Sequence, residues 1–271
     1  MTRHTYLRLI GAMIVVAIVS SVILLQFHWF GDAASTQRGP IDTLFDVMIV
    51  LSCVVFSIVI VMFVYAIWKF RVKPGDEGDG KPIHGNTKLE IAWTVIPTVI
   101  VLFGAGYSWV VLDDIESKAA DSMRLDVTAQ QFEWSFGYPE KMIGTGASAT
   151  EVTTHELHVP VDRQLNVHLT ALDVLHSFWV PEWGIKRDAV PARDPAAEGV
   201  DNTFVVTPDE IGTYSLICTE LCGTGHATMR ATVVVESQED FDQWLNEQAA
   251  AQSQAPAGGS SAASGSETSA G

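Results

Sequence analysis

Three long apolar runs in the first 112 residues constrain this chain more than any other feature. They cover residues 9–30, 44–68 and 91–112. A helix needs about 20 residues to cross a hydrocarbon core of about 30 Å, and helices buried in soluble proteins rarely stay apolar for so long. We therefore predict membrane-spanning helices, with the second and third runs forming a hairpin over residues 39–115.

The first apolar run has two interpretations. Arg3 and Arg8 precede it, which is typical of a signal-anchor that stays in the membrane. A cleaved signal peptide that ends near Ala33 or Ala34 has the same pattern. Residues 1–38 are therefore predicted to be either a signal-anchor with one extra span or a signal peptide.

The basic residues predict the orientation of the hairpin. The loop at residues 69–88 carries five Lys or Arg residues, whereas the loop at 31–43 carries only Arg38. Cytoplasmic loops carry an excess of Lys and Arg, so the first of these loops lies inside and the domain after the third run lies outside. Glu90 then lies at the inner edge of the third span. There a carboxylate either serves a function or extends to the lipid headgroups.

Charge divides the chain at the same place. Residues 1–112 contain 7 acidic and 8 basic residues, whereas residues 113–271 contain 25 acidic and 8 basic residues. A domain this acidic argues against binding of nucleic acid, whose phosphates attract Lys and Arg, and favours a basic partner. Solubility or adaptation to a salty habitat is the alternative explanation of the acidity.

The external part of the chain shows short alternating runs separated by turn residues. These runs predict an antiparallel sandwich or small barrel, and they lie at residues 124–128, 154–159, 165–170, 202–206, 212–218 and 231–235. Phe241, Trp244 and Leu245 predict an amphipathic helix over residues 238–248, which closes a domain that spans residues 116–248. Residues 249–271 are nearly all Ala, Gly, Ser and Gln, a composition typical of a disordered tail.

The densest chemical signal runs from Cys218 to Met229, where the donors follow the spacing Cys-x3-Cys-x3-His-x2-Met. Thiolate, imidazole and thioether ligands suit copper better than magnesium or calcium. A single-copper electron-transfer site needs one cysteine, so the second thiolate indicates two copper ions bridged by two sulfurs. Such a pair needs a second imidazole, for which His176 is the best candidate. A main-chain carbonyl between the cysteines, at Glu220, is the candidate for the remaining weak ligand.

Two other interpretations of the same residues stay open. Paired external cysteines form disulfides in oxidising surroundings, and Cys and His together also bind structural zinc. A disulfide leaves His226 and Met229 unexplained, and zinc has no use for a methionine. A disulfide between Cys218 and Cys222 would make the protein a membrane-anchored binding or assembly module.

These motifs resemble subunit II of the haem-copper cytochrome c oxidases, and the resemblance covers residues 42–248. It rests on the loop from Cys218 to Met229, on DVLHSF at residues 173–178 and on LEIAWTVIP at residues 89–97. The resemblance implies a transmembrane hairpin followed by a cupredoxin-like Greek-key β-barrel with a binuclear copper centre, CuA. Related quinol oxidase subunits lack the copper ligands, and the CuA domain of nitrous oxide reductase is not built on a membrane hairpin.

The resemblance also implies a role for each candidate residue. The Glu220 carboxylate would bind magnesium at the interface with subunit I, Glu90 would mark the entrance of a proton pathway, and Asp173 would belong to the docking face. Electrons from a soluble or anchored c-type cytochrome would enter near Phe132 and Trp134, although the family usually has a tryptophan at the position of Phe132. The two copper ions would be held by the Glu220 carbonyl together with His176, Cys218, Cys222, His226 and Met229.

The resemblance further implies a setting and a reaction. The chain would lie in the plasma membrane of a prokaryote with its copper domain on the extracytoplasmic side, in contact with lipid, subunit I and other oxidase subunits. Electrons would leave for haem in subunit I, where oxygen is reduced to water and protons are pumped.

Overall fold

The structure is a computed structural model that describes residues 2–72, 74–75, 78, 82, 84–146, 149–191 and 202–254. These residues form three long N-terminal helices, a domain of ten strands and a C-terminal helix. The helices are α1 (Arg3–Leu24), α2 (Arg38–Phe70), α3 (Thr87–Ile115) and α4 (Gln238–Gln254). The strands are β1 (Met123–Gln130), β2 (Glu133–Ile143), β3 (Thr150–Thr154), β4 (Leu157–Pro160), β5 (Leu165–Ala171), β6 (His176–Val180), β7 (Ile185–Ala189), β8 (Thr203–Val206), β9 (Gly212–Cys218) and β10 (Arg230–Glu236).

The three apolar helices predicted from the sequence are confirmed. Helices α1, α2 and α3 have 22, 33 and 29 residues, with mean hydropathy of 2.5, 3.2 and 2.0 over their most apolar windows. At 1.5 Å per residue each is long enough to cross a bilayer. Helix α1 packs along α2 and buries none of its residues. Seven residues of the loop at 69–88, including Lys73 and Lys81, lie outside the described residues.

The external domain consists of two five-stranded sheets packed face to face. One sheet has the strand order β3-β2-β1-β5-β8 and the other has the order β4-β10-β9-β6-β7. Most strand pairs are antiparallel, as the sequence predicts, but β1 pairs with β5 in parallel and β10 pairs with β4 in parallel. The chain leaves the first sheet at β4 and returns at β5, and this crossover makes the parallel pairs. Alternation shows which face of a strand is buried and says nothing about strand direction.

Alternating side chains of the two sheets form the core between them. Leu125, Val127 and Ala129 of β1 have no exposed surface, and Leu165 and Val167 of β5 continue the same layer. Each buried Leu or Val side chain of this layer contributes about 1.5–3 kcal/mol when it is removed from water. The resulting rigid sandwich holds the ends of its strands in fixed positions, which is where the candidate site lies.

Helix α4 closes one side of the sandwich through its aromatic side chains. Trp244 stacks on His158 with ring centroids 4.0 Å apart, and Trp244 and Phe241 both contact Tyr138. The helix begins where the sequence predicts but ends at Gln254, so it extends six residues past the predicted boundary at 248. Residues 255–271, the rest of the predicted tail, lie outside the described residues.

A short strap, defined as residues 34–38, joins the membrane helices to the external domain. The Ala34 N–H donates to the carbonyl of Glu182 (2.9 Å), and the Ser35 hydroxyl donates to the carbonyl of Trp183 (2.8 Å). Arg38, of which 3% is exposed, donates to the carbonyl of Pro181 (2.8 Å) and pairs with Asp42 on its own helix (2.7 Å). The strap therefore fixes the sandwich above the outer end of α2.

Candidate metal centre

Two loops bring the predicted donors to one end of the sandwich. Strands β6 and β9 are antiparallel neighbours in which Phe178 pairs with Cys218, so His176 at the start of β6 lies beside the end of β9. The loop after β9 carries Cys222 and His226 and leads to Met229, just before β10. The backbone N–H of Cys218 donates to the carbonyl of Met229 (3.1 Å), which closes this loop.

The donor atoms of these residues converge on one small volume. The Sγ atoms of Cys218 and Cys222 lie 3.8 Å apart, and Cys218 Sγ lies 3.9 Å from His176 Nδ1. Cys222 Sγ lies 3.7 Å from His226 Nδ1 and 3.8 Å from Met229 Sδ. Two sulfurs thus lie at the centre with an imidazole nitrogen next to each of them. This soft donor set fits copper, and its two central sulfurs and two imidazoles fit a pair of ions.

The main-chain carbonyl of Glu220 and the thioether of Met229 supply the two weaker donors. The Cys218 thiol donates to the Glu220 carbonyl (3.4 Å), which places that oxygen beside the sulfur pair. Met229 Sδ lies 3.2 Å from His176 Nδ1. Every donor that the sequence predicts for copper is therefore present at the same site.

Both thiols are free and almost fully buried, with 3% of each cysteine exposed. Burial and the neighbouring Cys218 sulfur raise the pKa of Cys222 to about 11. At neutral pH the metal-free site therefore keeps this thiol protonated, and a metal ion must displace the proton when it binds. His176 and Met229 have no exposed surface, so bulk water is excluded from that side of the site.

Asp173, predicted as a docking residue, also holds His176 in position. Its Oδ1 accepts a hydrogen bond from His176 Nε2 (2.8 Å), and its Oδ2 accepts one from the backbone N–H of Gln131 (2.7 Å). Desolvation by itself would raise the pKa of Asp173. The hydrogen bonds from His176, Gln131 and Val174 outweigh it and lower that pKa below its ordinary value. A proton on Nε2 leaves Nδ1 unprotonated and facing the sulfurs, as a metal ligand requires. The side chain of Asp173 is 30% exposed, so it also contributes charge to the surface.

The two predicted electron-entry residues lie on different sides of the centre. Phe132 is 37% exposed, and its ring lies against the cysteine loop so closely that a β-carbon on Gly225 would approach it to 2.5 Å. Trp134 is buried, and its ring centroid lies 6.3 Å from that of His176. Phe132 is thus the outer aromatic residue and Trp134 the inner one.

Glu90 is remote from the metal centre, at the start of α3. Its Oε1 accepts a hydrogen bond from the backbone N–H of Asn86 (3.0 Å), and Asn86 Oδ1 accepts one from the N–H of Leu89 (3.3 Å). This reciprocal cap stabilises the first turn of the helix. Glu90 therefore has a local structural contact in addition to the role predicted for it.

The carboxylate of Glu220, the predicted magnesium ligand, lies outside the metal-ligand cluster found in the part of the chain that the structure describes. There the cluster of potential metal ligands consists of His176, Cys218 and Cys222, and the Glu220 carboxylate is not part of it. The role of Glu220 as a magnesium ligand stays a prediction.

Comparison with known proteins identifies the family. A family model described as the transmembrane domain of cytochrome c oxidase subunit II matches residues 20–111, and one described as the periplasmic domain of the same subunit matches residues 125–238. The cytochrome c oxidase subunit 2 of Thermostichus vulcanus is 30% identical over 285 residues, which cover 82% of this chain and 81% of that protein. The chain belongs to the cytochrome c oxidase subunit II family.

One further relative agrees with this assignment to the subunit II family. The alternative cytochrome c oxidase subunit 2 of Bradyrhizobium diazoefficiens is 30% identical, and the match covers 87% of this chain and 90% of that protein. Among solved structures, the periplasmic domain of subunit II of cytochrome oxidase from Bradyrhizobium japonicum matches with 26% identity and a TM-score of 0.39. That match covers 49% of this chain and 96% of the other.

Membership in the subunit II family confirms the resemblance predicted from the sequence. The protein is a subunit of a cytochrome c oxidase, an oxidoreductase complex, and it combines membrane helices with an extracytoplasmic domain of two packed β-sheets. The soft donor cluster of that domain supports copper as its metal.

Proposed function

We propose that this subunit II receives electrons from a c-type cytochrome at a binuclear copper centre and passes them to haem in subunit I. There oxygen is reduced to water and protons are pumped across the plasma membrane of a prokaryote. The observation that carries this proposal is the convergence of Cys218, Cys222, His176, His226 and Met229 at one buried end of the sandwich.

The protein's own contribution is to hold the donors still and to keep water away. Two copper ions, when bound by these donors, would supply a one-electron redox couple. Cys218 is held by β9 and His176 by β6, two paired strands whose core-facing side chains are buried, so their positions change little when an electron arrives. Asp173 fixes the ring of His176, and Trp134 packs against that ring from the protein interior.

The outer aromatic residue and the acidic surface support a docking role at the same end. Phe132 exposes part of its ring beside the cysteine loop, and the exposed carboxylate of Glu133 follows it directly. A basic cytochrome attracted by this field would be brought close to Phe132, from which the electron would pass through the cysteine loop. Glu220 is the candidate ligand for magnesium at the interface with subunit I.

Metal analysis of the full-length subunit tests this proposal. We expect two copper ions per chain and an electron paramagnetic resonance spectrum of the mixed-valence type, with the unpaired electron coupled to both copper nuclei. Zinc in place of copper, or a copper-free protein with a disulfide between Cys218 and Cys222, would contradict the proposal. The second result would favour a membrane-anchored binding or assembly module.

Replacing Glu90 with Gln in the assembled oxidase tests the proposed proton entrance. Gln keeps an oxygen that accepts the hydrogen bond from the Asn86 N–H, so the cap of α3 is retained while the ionisable group is lost. We expect slower turnover with an unchanged copper spectrum, measured by oxygen consumption and electron paramagnetic resonance. Wild-type turnover in the Glu90→Gln variant would contradict the proposed proton entrance and show that Glu90 only caps the helix.

A further inference from the structure

Gln131 joins the two loops that carry the proposed copper ligands, although its position in the sequence gives no sign of this. Its backbone N–H donates to Asp173 Oδ2 (2.7 Å), and Asp173 Oδ1 accepts a hydrogen bond from His176 Nε2 (2.8 Å). Its side-chain Nε2 donates to the main-chain carbonyl of Cys222 (2.5 Å). One residue directly after β1 therefore contacts both the loop before β6 and the loop after β9.

The cysteine loop is shaped around Gln131 and its neighbour Phe132. A β-carbon on Gly223 would lie 2.8 Å from Gln131 Nε2, and one on Gly225 would lie 2.5 Å from the Phe132 ring. Gly223 also has a φ of +134°, which disfavours any residue with a side chain. The glycines let the loop approach Gln131 and Phe132 closely, so the hydrogen bond to Cys222 follows from the local backbone.

The contact acts in the middle of the loop, between the hydrogen bonds that hold its two ends. At the first end, the N–H of Thr219 donates to the carbonyl of Ser177 (3.1 Å), and the closing bond to Met229 holds the other. Cys222 lies between these ends. Its carbonyl would lose the Gln131 donor in any opened loop, so this hydrogen bond favours the closed loop.

We propose that Gln131 is a positioning residue that ties the Cys222 loop to the Asp173–His176 pair and so fixes the spacing of the copper ligands. This inference rests on the proposed copper centre and adds a residue that does not itself bind metal. The backbone contact with Asp173 is present whatever the side chain, so the side chain acts through Cys222 alone.

Two variants test whether the hydrogen bond from Gln131 to Cys222 is needed, or whether any polar side chain at this position is enough. Gln131→Met keeps the length of the side chain without a donor, whereas Gln131→Asn keeps the amide but falls short of Cys222. Gln130→Met is the matched control, because the side-chain amide of Gln130 donates to Glu133 instead. All three are made in a Cys53→Ser background, so that the two thiols of the site alone are counted.

Alkylation of the thiols in the metal-free, full-length protein measures how often the loop opens. We expect alkylation roughly fivefold faster in both Gln131 variants, because loss of one hydrogen bond makes local opening easier. The control should react at the wild-type rate. After copper is loaded, both Gln131 variants should also shift the reduction potential and the copper hyperfine couplings. A loss of stability elsewhere in the domain would leave both quantities unchanged.

Wild-type alkylation rates in both Gln131 variants, with unshifted spectra, would overturn the proposed role of Gln131. A wild-type protein that binds no copper would overturn the proposed function instead, and the alkylation rates would still report on the hydrogen bond. The two failures are therefore distinguishable.

Discussion

The Cys222→Ser variant of the full-length subunit is expected to lose the mixed-valence copper signal and electron transfer from the cytochrome. Serine is nearly the same size, so the fold should persist, but its hard hydroxyl group is a poor ligand for copper. Loss of a residue next to a metal ligand already costs about 10–100-fold in metal affinity, and loss of a ligand itself should cost more. Metal content, electron paramagnetic resonance and the rate of cytochrome oxidation measure the effect.

The chain supplies matched controls for the Cys222→Ser variant. Cys218→Ser should behave in the same way, because both sulfurs lie between the imidazoles of His176 and His226. Cys53 is also buried, but it lies in α2, so Cys53→Ser should keep the copper signal and the electron-transfer rate. Wild-type electron transfer in both Cys218→Ser and Cys222→Ser would contradict the copper centre and agree with a disulfide of no redox role.

The parts of the structure that follow from local sequence were predictable. The three membrane helices were predicted because a bilayer demands long apolar runs, and few soluble structures produce them. The cysteine loop was predicted because four of its donors lie within twelve residues, from Cys218 to Met229, so their spacing is visible without the fold. His176 was found because a second imidazole was needed and DVLHSF offered one after an apolar run.

Four strands, β2, β3, β6 and β7, were not among the predicted runs, for local reasons. Strand β2 contains Gly137 and Pro139 and has an irregular register with β3 between Tyr138 and Met142, which interrupts alternation. Strand β6 is buried on both faces for most of its length, so its side chains do not alternate between apolar and polar. Strand β7 alternates but is short and mostly polar.

Contacts between distant parts of the chain were not predictable from the sequence. Gln131 and Cys222 are 91 residues apart, and Ser35 and Trp183 are 148 residues apart. No local pattern indicates which glutamine donates to a loop or which serine anchors a strap, because both depend on the finished fold. The hydrogen bond between Asp173 and His176 was not predicted either. An acidic residue three positions before a histidine is common in loops and does not by itself indicate a contact.

The association of this subunit with a basic cytochrome is expected to slow by about 10- to 1,000-fold from low to high ionic strength. Residues 113–271 carry 25 acidic and 8 basic residues, so the external domain produces a strong negative field. The Debye length falls from about 30 Å at 0.01 M salt to about 3 Å at 1 M, which removes long-range attraction. The bimolecular rate constant from stopped-flow mixing of the full oxidase with the cytochrome measures this dependence.

A pair of variants tests whether the field acts at the docking site. Glu133 follows the exposed Phe132 directly, and its side chain is half-exposed, so Glu133→Gln should lower the association rate at low salt and flatten its salt dependence. Glu239 lies on the first turn of α4, so Glu239→Gln removes the same charge elsewhere and should change the rate less. A rate constant that stays flat from low to high salt would show that the acidity serves solubility or a salty habitat. Equal effects of the two variants would show that net charge, and not a surface beside Phe132, attracts the cytochrome.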